Sequence, residues 1–360
     1  MRKAAALVGL LVVACSQPAQ HAAVSPTSAV SPTQASPTPG QSPDTTPSPT
    51  PGDLPLSQVS FSCRLPISYS TSIGTYPSES AFISFPSTAK AIDPAGKGAG
   101  YFDRAFSRWL PVTREAVSPD GKHYAYLSFG DQGIFFVHVV DVATGTDHAF
   151  REDANAVAIT FTPSVLDFAA EGIYLLHGFE RVMPGMWLVD PNTGAIRLVS
   201  DAGGIQVSGG GGIFWIGDIN PADPHPVNTA SSSGTLPDQI DRLDLKTGSL
   251  TPWLYMPGYG LRVLGVDSQA RPLIGAVLGI IAPAPHSDPI DHSASELLLA
   301  LGADSQRSID KGAVVDALVG GIADAHGFWF GSLQGLYFYS DASGLQKVSN
   351  QPGFPANGCF

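Results

Sequence analysis

The chain is poor in charge, in cysteine and in helical pattern. Charged residues make up 14% of its 360 positions, and there are three Cys. Three cysteines exclude a multi-Cys zinc site and a dense disulfide framework. Lys and Arg number 19 against 31 Asp and Glu, a formal net charge of −12, and no basic run follows Arg2-Lys3. A chain this acidic is a poor candidate for gripping phosphate backbones, so nucleic acid is not an expected partner. No long amphipathic stretch reads as a helix. No apolar run approaches the ~20 residues of a membrane-spanning helix. Pro272–Pro283 is too short for that and fits a buried strand instead. There is no Gly-x-Ser-x-Gly elbow, which excludes an α/β-hydrolase nucleophile of that type. The four glycines of Gly209–Gly212 precede no helical pattern, so they read as a turn and not as a phosphate cradle.

What is present is apolar and rich in turns. Hydrophobic residues make up 43% of the chain, with 39 Gly and 31 Pro. That combination is typical of many short strands joined by turns. Strand-like runs include Ala81–Phe85, His123–Ser128, Ile134–Val140, Ala156–Phe161, Ile173–His177, Met186–Val189, Ile213–Gly217, Leu297–Leu301, Phe328–Gly331 and Leu336–Tyr339. They are β-branched or aromatic and are bounded by Gly, Pro, Asp or Asn. Trp187, Trp215 and Trp329 fall inside or beside such runs and read as core. His123 and His138 read as strand residues, packed or at the surface.

The N-terminus reads as an export signal over residues 1–14. Arg2 and Lys3 are followed by the apolar run Ala4–Val13, ending at Val12-Val13-Ala14-Cys15. Small residues before a cysteine this close to the start resemble the lipobox of bacterial lipoproteins. The resemblance implies cleavage before Cys15, its lipidation, and an extracytoplasmic domain anchored to the bacterial cell membrane. Residues 16–55 hold ten Pro, seven Ser and six Thr, with no Phe, Trp, Tyr, Lys or Arg. Such a segment cannot bury enough apolar surface to offset its chain entropy. Residues 15–56 therefore read as a lipidated, disordered tether, reaching roughly 120 Å at about 3.1 Å per residue. The folded domain is assigned to 57–360.

A turn signature recurs in that domain: Asp141-Val-Ala-Thr-Gly145, Asp190-Pro-Asn-Thr-Gly194, Asp244-Leu-Lys-Thr-Gly248 and the shorter Asp341-Ala-Ser-Gly344. Asp accepts hydrogen bonds from turn amides and Gly supplies the positive φ that completes a reversal. The Asp spacings are 49, 54 and 97 residues, the last about twice the others, and Leu297–Leu301 with Gly302-Ala303-Asp304 fills the gap. A second turn precedes each signature: Pro119-Asp120-Gly121-Lys122, Ala170-Glu171-Gly172, Gly209–Gly212, Asp267–Ala270 and Asp324–Gly327. A period of about 40–60 residues with four strands per unit marks a β-propeller. Ser118–Ser128 with Phe135–Gly145 resembles the repeat of TolB-like propellers, and Asp324–Ser340 is similar to repeats of streptogramin-lyase-like propellers. The resemblance implies architecture and transfers no activity. The expected fold is all-β, a propeller of six blades over 58–112, 113–152, 153–202, 203–257, 258–311 and 312–360, with seven blades as the alternative.

A closed ring brings its ends together. With Cys15 lipidated, Cys63 and Cys359 remain at the two ends of the folded part, and outside the cytoplasm they are expected to form a disulfide. The two turn classes read as a–b and c–d turns of four-stranded blades, so the distance between them measures the b–c connection. It is 20 residues from Gly121 to Asp141, 18 from Gly172 to Asp190 and 14 from Gly327 to Asp341, but 32 from Gly212 to Asp244 and 34 from Ala270 to Asp304. The fourth and fifth blades thus carry insertions on one face, Asp218–Asp238 and Ile280–Ser295. A rigid ring elaborated on one side builds binding sites there. The candidate binding face is His177, Arg181, His225, His286, Asp288, Asp291 and His292. No cofactor and no catalytic residue is assigned, although His and Asp at this density could hold a divalent metal. The expectation is a non-catalytic, surface-tethered, monomeric propeller that binds a protein or small-molecule partner through that face. A metal-assisted lyase or hydrolase using the two loops, and an envelope assembly scaffold, are the alternatives.

Overall fold

A computed structural model describes residues 54–69, 79–130, 135–152, 164–177, 185–222, 236–279, 290–302, 305–312, 315 and 318–360; the side chains of residues 152, 177 and 290–294 also lie outside the description. The first three strands are β1 (Cys63–Tyr69), β2 (Glu79–Phe85) and β3 (Ala89–Ile92). A separate hairpin follows, β4 (Tyr101–Asp103) and β5 (Arg108–Leu110). The second blade holds β6 (His123–Phe129), β7 (Phe135–Asp141) and β8 (Asp147–Glu152), with Val117 bridged to Tyr124 on the inner side. The third is β9 (Ser164–Ala169), β10 (Gly172–His177), β11 (Gly185–Val189) and β12 (Ile196–Ser200). The fourth is β13 (Ile205–Gly210), β14 (Ile213–Asp218), β15 (Gln239–Asp244) and β16 (Ser249–Tyr255). The fifth is β17 (Tyr259–Val266), β18 (Pro272–Gly279), β19 (Ile290–Gly302) and β20 (Ser305–Lys311). The sixth is β21 (Val319–Ala323), β22 (Phe328–Ser332), β23 (Gly335–Ser340) and β24 (Gly344–Ser349), and β25 (Phe354–Pro355) closes the chain. Each blade is an antiparallel meander, and together they make a six-bladed β-propeller.

The ring closes by sharing its first blade between the two ends of the chain. The order there is β25-β1-β2-β3, so the innermost strand comes from the C-terminus and the other three from the N-terminus. Pairing runs beyond β25: Ala356 N–H donates to Pro66 O, and Arg64 and Phe360 exchange backbone hydrogen bonds at 2.8 and 3.1 Å. The Cys63–Cys359 disulfide, with Cα atoms 5.6 Å apart, ties the same segments. A blade over 58–112 is therefore corrected. Residues 101–110 are not a blade strand, and the sixth unit ends at β24 and gives its tail to the first. Turn chemistry alone cannot show this, because the shared blade joins strands that no turn connects.

Successive blades are sealed by apolar clusters whose membership follows strand alternation. In the sixth blade Trp329, Leu336 and Phe338 pack on the first blade's Leu65, Ile67 and Ile83. The residues between them, Phe328, Phe330, Tyr337 and Tyr339, point the other way onto Leu264, Leu273 and Leu297 of the fifth. Side chains of period two on both faces of a central strand explain why β22 reads as an unbroken apolar run. Outer strands such as β16 and β20 are largely exposed. Comparable clusters join the second to the third blade, the third to the fourth and the fourth to the fifth. The sixth seam differs. Phe82 and Ala356 of the first blade pack on Phe102 and Trp109 of the extra hairpin, which stands between the first and second blades.

The repeated turns form as their chemistry demands. Asp141 Oδ1 accepts from Thr144 N at 2.7 Å and Gly145 has φ 73°. Asp190 Oδ1 accepts from Asn192 N and Thr193 N, and Gly194 also has φ 73°. Backbone amides aimed at the carboxylates hold Asp120, Asp141 and Asp190 below the usual Asp range. All described c–d and a–b turns fall where the two turn classes place them.

Candidate functional site

Strands β10, β14 and β18 are the second strands of the third, fourth and fifth blades, and their C-terminal ends leave from one rim of the ring. Of the expected binding residues, His177 is the last of β10, with its backbone paired to Gly185. Arg181, His225, His286 and Asp288 lie outside the described residues, as do Cys15 with the N-terminal segment and the expected strand Ala156–Phe161. Asp291 and His292 belong to β19, and Asp291 pairs with Leu278. The expected loop over 280–295 is therefore shorter, because β18 continues its pairing with β19 out to Gly279–Ile290.

Three Asp lie where the 219–238 connection leaves the fourth blade. Asp238 is fully buried, its Oδ1 accepts from Asn220 N at 2.7 Å, and its own N–H donates to Asp218 O. Asp241 is also buried, and its Oδ1 accepts from Gln239 Nε2 at 2.7 Å. Burial pushes the Asp241 carboxyl up, and the Asp218 charge adds to this. These carboxylates brace the ends of β14 and β15, from which 219–238 departs. Neither was signalled by the sequence: Asp241 sits in the polar run Gln239-Ile-Asp-Arg-Leu-Asp244, and the bracing by Asp238 needed the structure. Among the described residues, no group of three His, Cys, Asp or Glu side chains is placed to hold a metal ion.

The opposite rim, built of tight turns, carries two grooves. One, of about 560 Å³ between the second and third blades, has Val139, Phe150 and Phe168 as its floor and Asp120, His123 and His148 at its edge. The other, of about 440 Å³, is bordered by Glu171, Tyr174, Arg197 and Lys246. Tyr174 OH donates to Glu171 Oε1 at 2.8 Å, which fixes one wall.

Toward the axis, Ser208 Oγ on β13 donates to Asp167 Oδ2 on β9 at 2.7 Å. Burial raises the Asp167 carboxyl, Ser208 counteracts this, and the charges of Glu115 and Glu171 raise it further. A carboxyl whose folded pKa exceeds its unfolded value binds its proton first in the folded state, so stability falls as pH rises through that window. Asp167→Asn keeps an oxygen for Ser208 and removes the buried charge. Its melting temperature is expected to exceed wild type at pH 7, and the difference should vanish below about pH 3, well under the ordinary Asp pKa of about 3.9, where both states of wild type are protonated. Thermal melts across pH check this; an equal gap at both ends would contradict it.

A third arrangement lies on the flank of the second blade that faces the extra hairpin. His138 on β7 stands between Ser128 on β6 and Asp147 on β8. Its Nε2 is 2.8 Å from Ser128 Oγ, and its Nδ1 is 3.0 and 3.1 Å from the Asp147 oxygens. Tyr126 stacks on the imidazole at 4.2 Å and 9°, and its OH donates to Asp147 Oδ2 at 2.9 Å. Burial and that hydrogen bond push the Tyr126 hydroxyl up to about 12, so it remains a donor. No sequence motif signals this group, because its members come from three strands and meet only through their register.

No family model matches the chain, and no curated protein does. Solved structures align at low identity. TolB from Acinetobacter baumannii has a TM-score of 0.42 and 14% identity over 81% of this chain. The chain spans 64% of that protein's length. The β-propeller domain of the Trilobed protease from Pyrococcus furiosus gives 0.44 and 10%, covering 83% of this chain and 85% of that one. Oligogalacturonate lyase from Vibrio parahaemolyticus gives 0.33 and 13%, covering 74% and 70%. The three bear different descriptions, and none carries a functional argument here. The propeller assignment stands on strand order and closure.

Proposed function

We propose that this chain binds a ligand or protein partner, without chemistry at that surface, at the rim carrying its longest b–c connections, and that it is held at a membrane surface through lipid on Cys15. One observation carries the reading. The b–c connections of neighbouring blades run over 219–238 and 280–289, whereas β22 and β23 of the sixth blade are joined by 333–334. The other rim is closed by Asp- and Gly-dependent turns that leave little chain to vary. A rigid ring with its spare chain on one rim places a variable surface where it costs the core nothing. The exposed Asp218 at the base of the 219–238 connection favours a partner with positive or hydrogen-bond-donating groups there.

The test compares the rims. A photocrosslinking residue at Ile219, which is 40% exposed, reports on one and the same residue at exposed Lys246 on the other. In cells carrying the full chain, adducts are expected at position 219, and replacing 223–235 by Gly and Ser should remove them. Equal adducts from both positions would overturn the proposal.

A further inference from the structure

We propose that Ser128 is an activated nucleophile and that the flank of the second blade hydrolyses carboxylic esters, a site on a different blade from the long connections of the fourth and fifth and independent of the binding reading. The argument begins with the tautomer. Asp147 accepts only from a protonated nitrogen, so its two contacts at 3.0 and 3.1 Å place the proton on Nδ1. Nε2 then carries the lone pair, and that nitrogen faces Ser128 Oγ at 2.8 Å. The order is hydroxyl, base and orienting carboxylate, recognised by geometry and role and not by position in a chain.

The surroundings hold this state. Tyr126 lies directly across from His138 and covers one face of its ring, which blocks rotation about the side chain. Tyr126 also donates to Asp147, fixing the carboxylate from its second side. Phe136 lies directly across from Ser128, half-buried, and offers an apolar surface for an acyl group. Arg151 pairs with Phe136 on its other side, so a cation ends the same row. The seam explains the exposure. Five inter-blade seams are filled by apolar clusters, but beside the second blade the sixth is filled by the hairpin, where Arg108 reaches Val142 O. The His138 side chain keeps 14% exposure.

In the reaction Ser128 Oγ bonds to the ester carbonyl carbon as its proton passes to His138 Nε2. The carbon–alkoxy bond then breaks and the alcohol leaves with that proton. Water attacks the acyl-serine with His138 again as base, releasing the carboxylic acid and restoring the hydroxyl. Ser128 and His138 are the catalytic residues, and Asp147 and Tyr126 are positioning residues.

The experiment treats the folded, disulfide-bonded protein with a fluorophosphonate and maps the adduct by mass spectrometry, with p-nitrophenyl butyrate as substrate. One adduct at Ser128 is expected, absent in Ser128→Ala. His138→Gln should slow labelling by about 100-fold or more. Asp147→Asn should lower kcat at least tenfold with KM unchanged, which a merely structural carboxylate would not do. Melting temperatures of the variants confirm folding. The wild-type protein decides without them: no adduct on Ser128, or labelling at the same rate in His138→Gln, overturns the proposal.

Discussion

Replacing Cys63 and Cys359 together by Ser is expected to lower the melting temperature by roughly 10 °C. The bridge spans 296 residues of sequence. Chain entropy gives such a loop about 5 kcal/mol as an upper figure, and native disulfides commonly deliver about 2–5. For a domain of this size each kcal/mol moves the midpoint by about 2–4 °C. The effect is placed at the seam where the ring is weakest in regular pairing. β25 contributes two residues to the first blade, against seven from β1. Without the bridge, the tail from 354 to 360 keeps its backbone hydrogen bonds to β1 and Phe102, the side-chain bonds of Asp324 and Asn357, and the packing of Ala356 and Phe360. Thermal melts with and without reductant measure it; a shift under about 2 °C would mean the tail is secured by its hydrogen bonds and packing without the bridge.

The second large effect is expected at Asp324. Its Oδ2 accepts from Trp329 Nε1 at 2.7 Å and from Cys359 N at 2.8 Å, while Oδ1 accepts from His326 N and Gly327 N. One carboxylate thus joins an a–b turn of the sixth blade to the closing cysteine and to the largest side chain of the seam. Trp329 is fully buried and Cys359 nearly so. Asp324→Ala would strand two buried donors, at about 1–3 kcal/mol each, so a loss of about 3–5 kcal/mol is expected by denaturant titration. Asp324→Asn keeps one acceptor and should recover part of it. The loss should not add to that of the cysteine pair, since both act on the same segment. Simple additivity would show that the two anchors work independently.

Much of the architecture was legible. The Asp-to-Gly turns, the period between them and the apolar runs located most blades, because each depends on chemistry within a few residues. Pairing of Cys63 with Cys359 followed from ring closure and the expected compartment. The first blade was misassigned because its inner strand is supplied from 354–355, and no local pattern in a two-residue strand announces a partner at the far end of the chain. The expected loop 280–295 takes in Asp291 and His292 because the long gap from Ala270 to Asp304 reads as one inserted connection, whereas the structure spends part of that length on pairing β19 with β18 out to Gly279–Ile290. The relay at Ser128, His138 and Asp147 was invisible for a different reason. Ser128 lies ten residues from His138, and nine more separate His138 from Asp147. Only antiparallel pairing of β6, β7 and β8 turns those separations into hydrogen bonds.

The sequence by itself determined what is local and periodic: turns, strand alternation, an acidic and charge-poor composition, and the expected export signal and tether. The tertiary structure decided what depends on register and closure. It set which end supplies the innermost strand, which seam the extra hairpin fills, and which polar side chains meet on the flank that seam leaves open. The physical reason is that hydrogen bonds between strands are made by backbone atoms common to every residue. Side chains therefore signal a strand and the face it buries, while the choice of neighbour rests on packing of the whole ring.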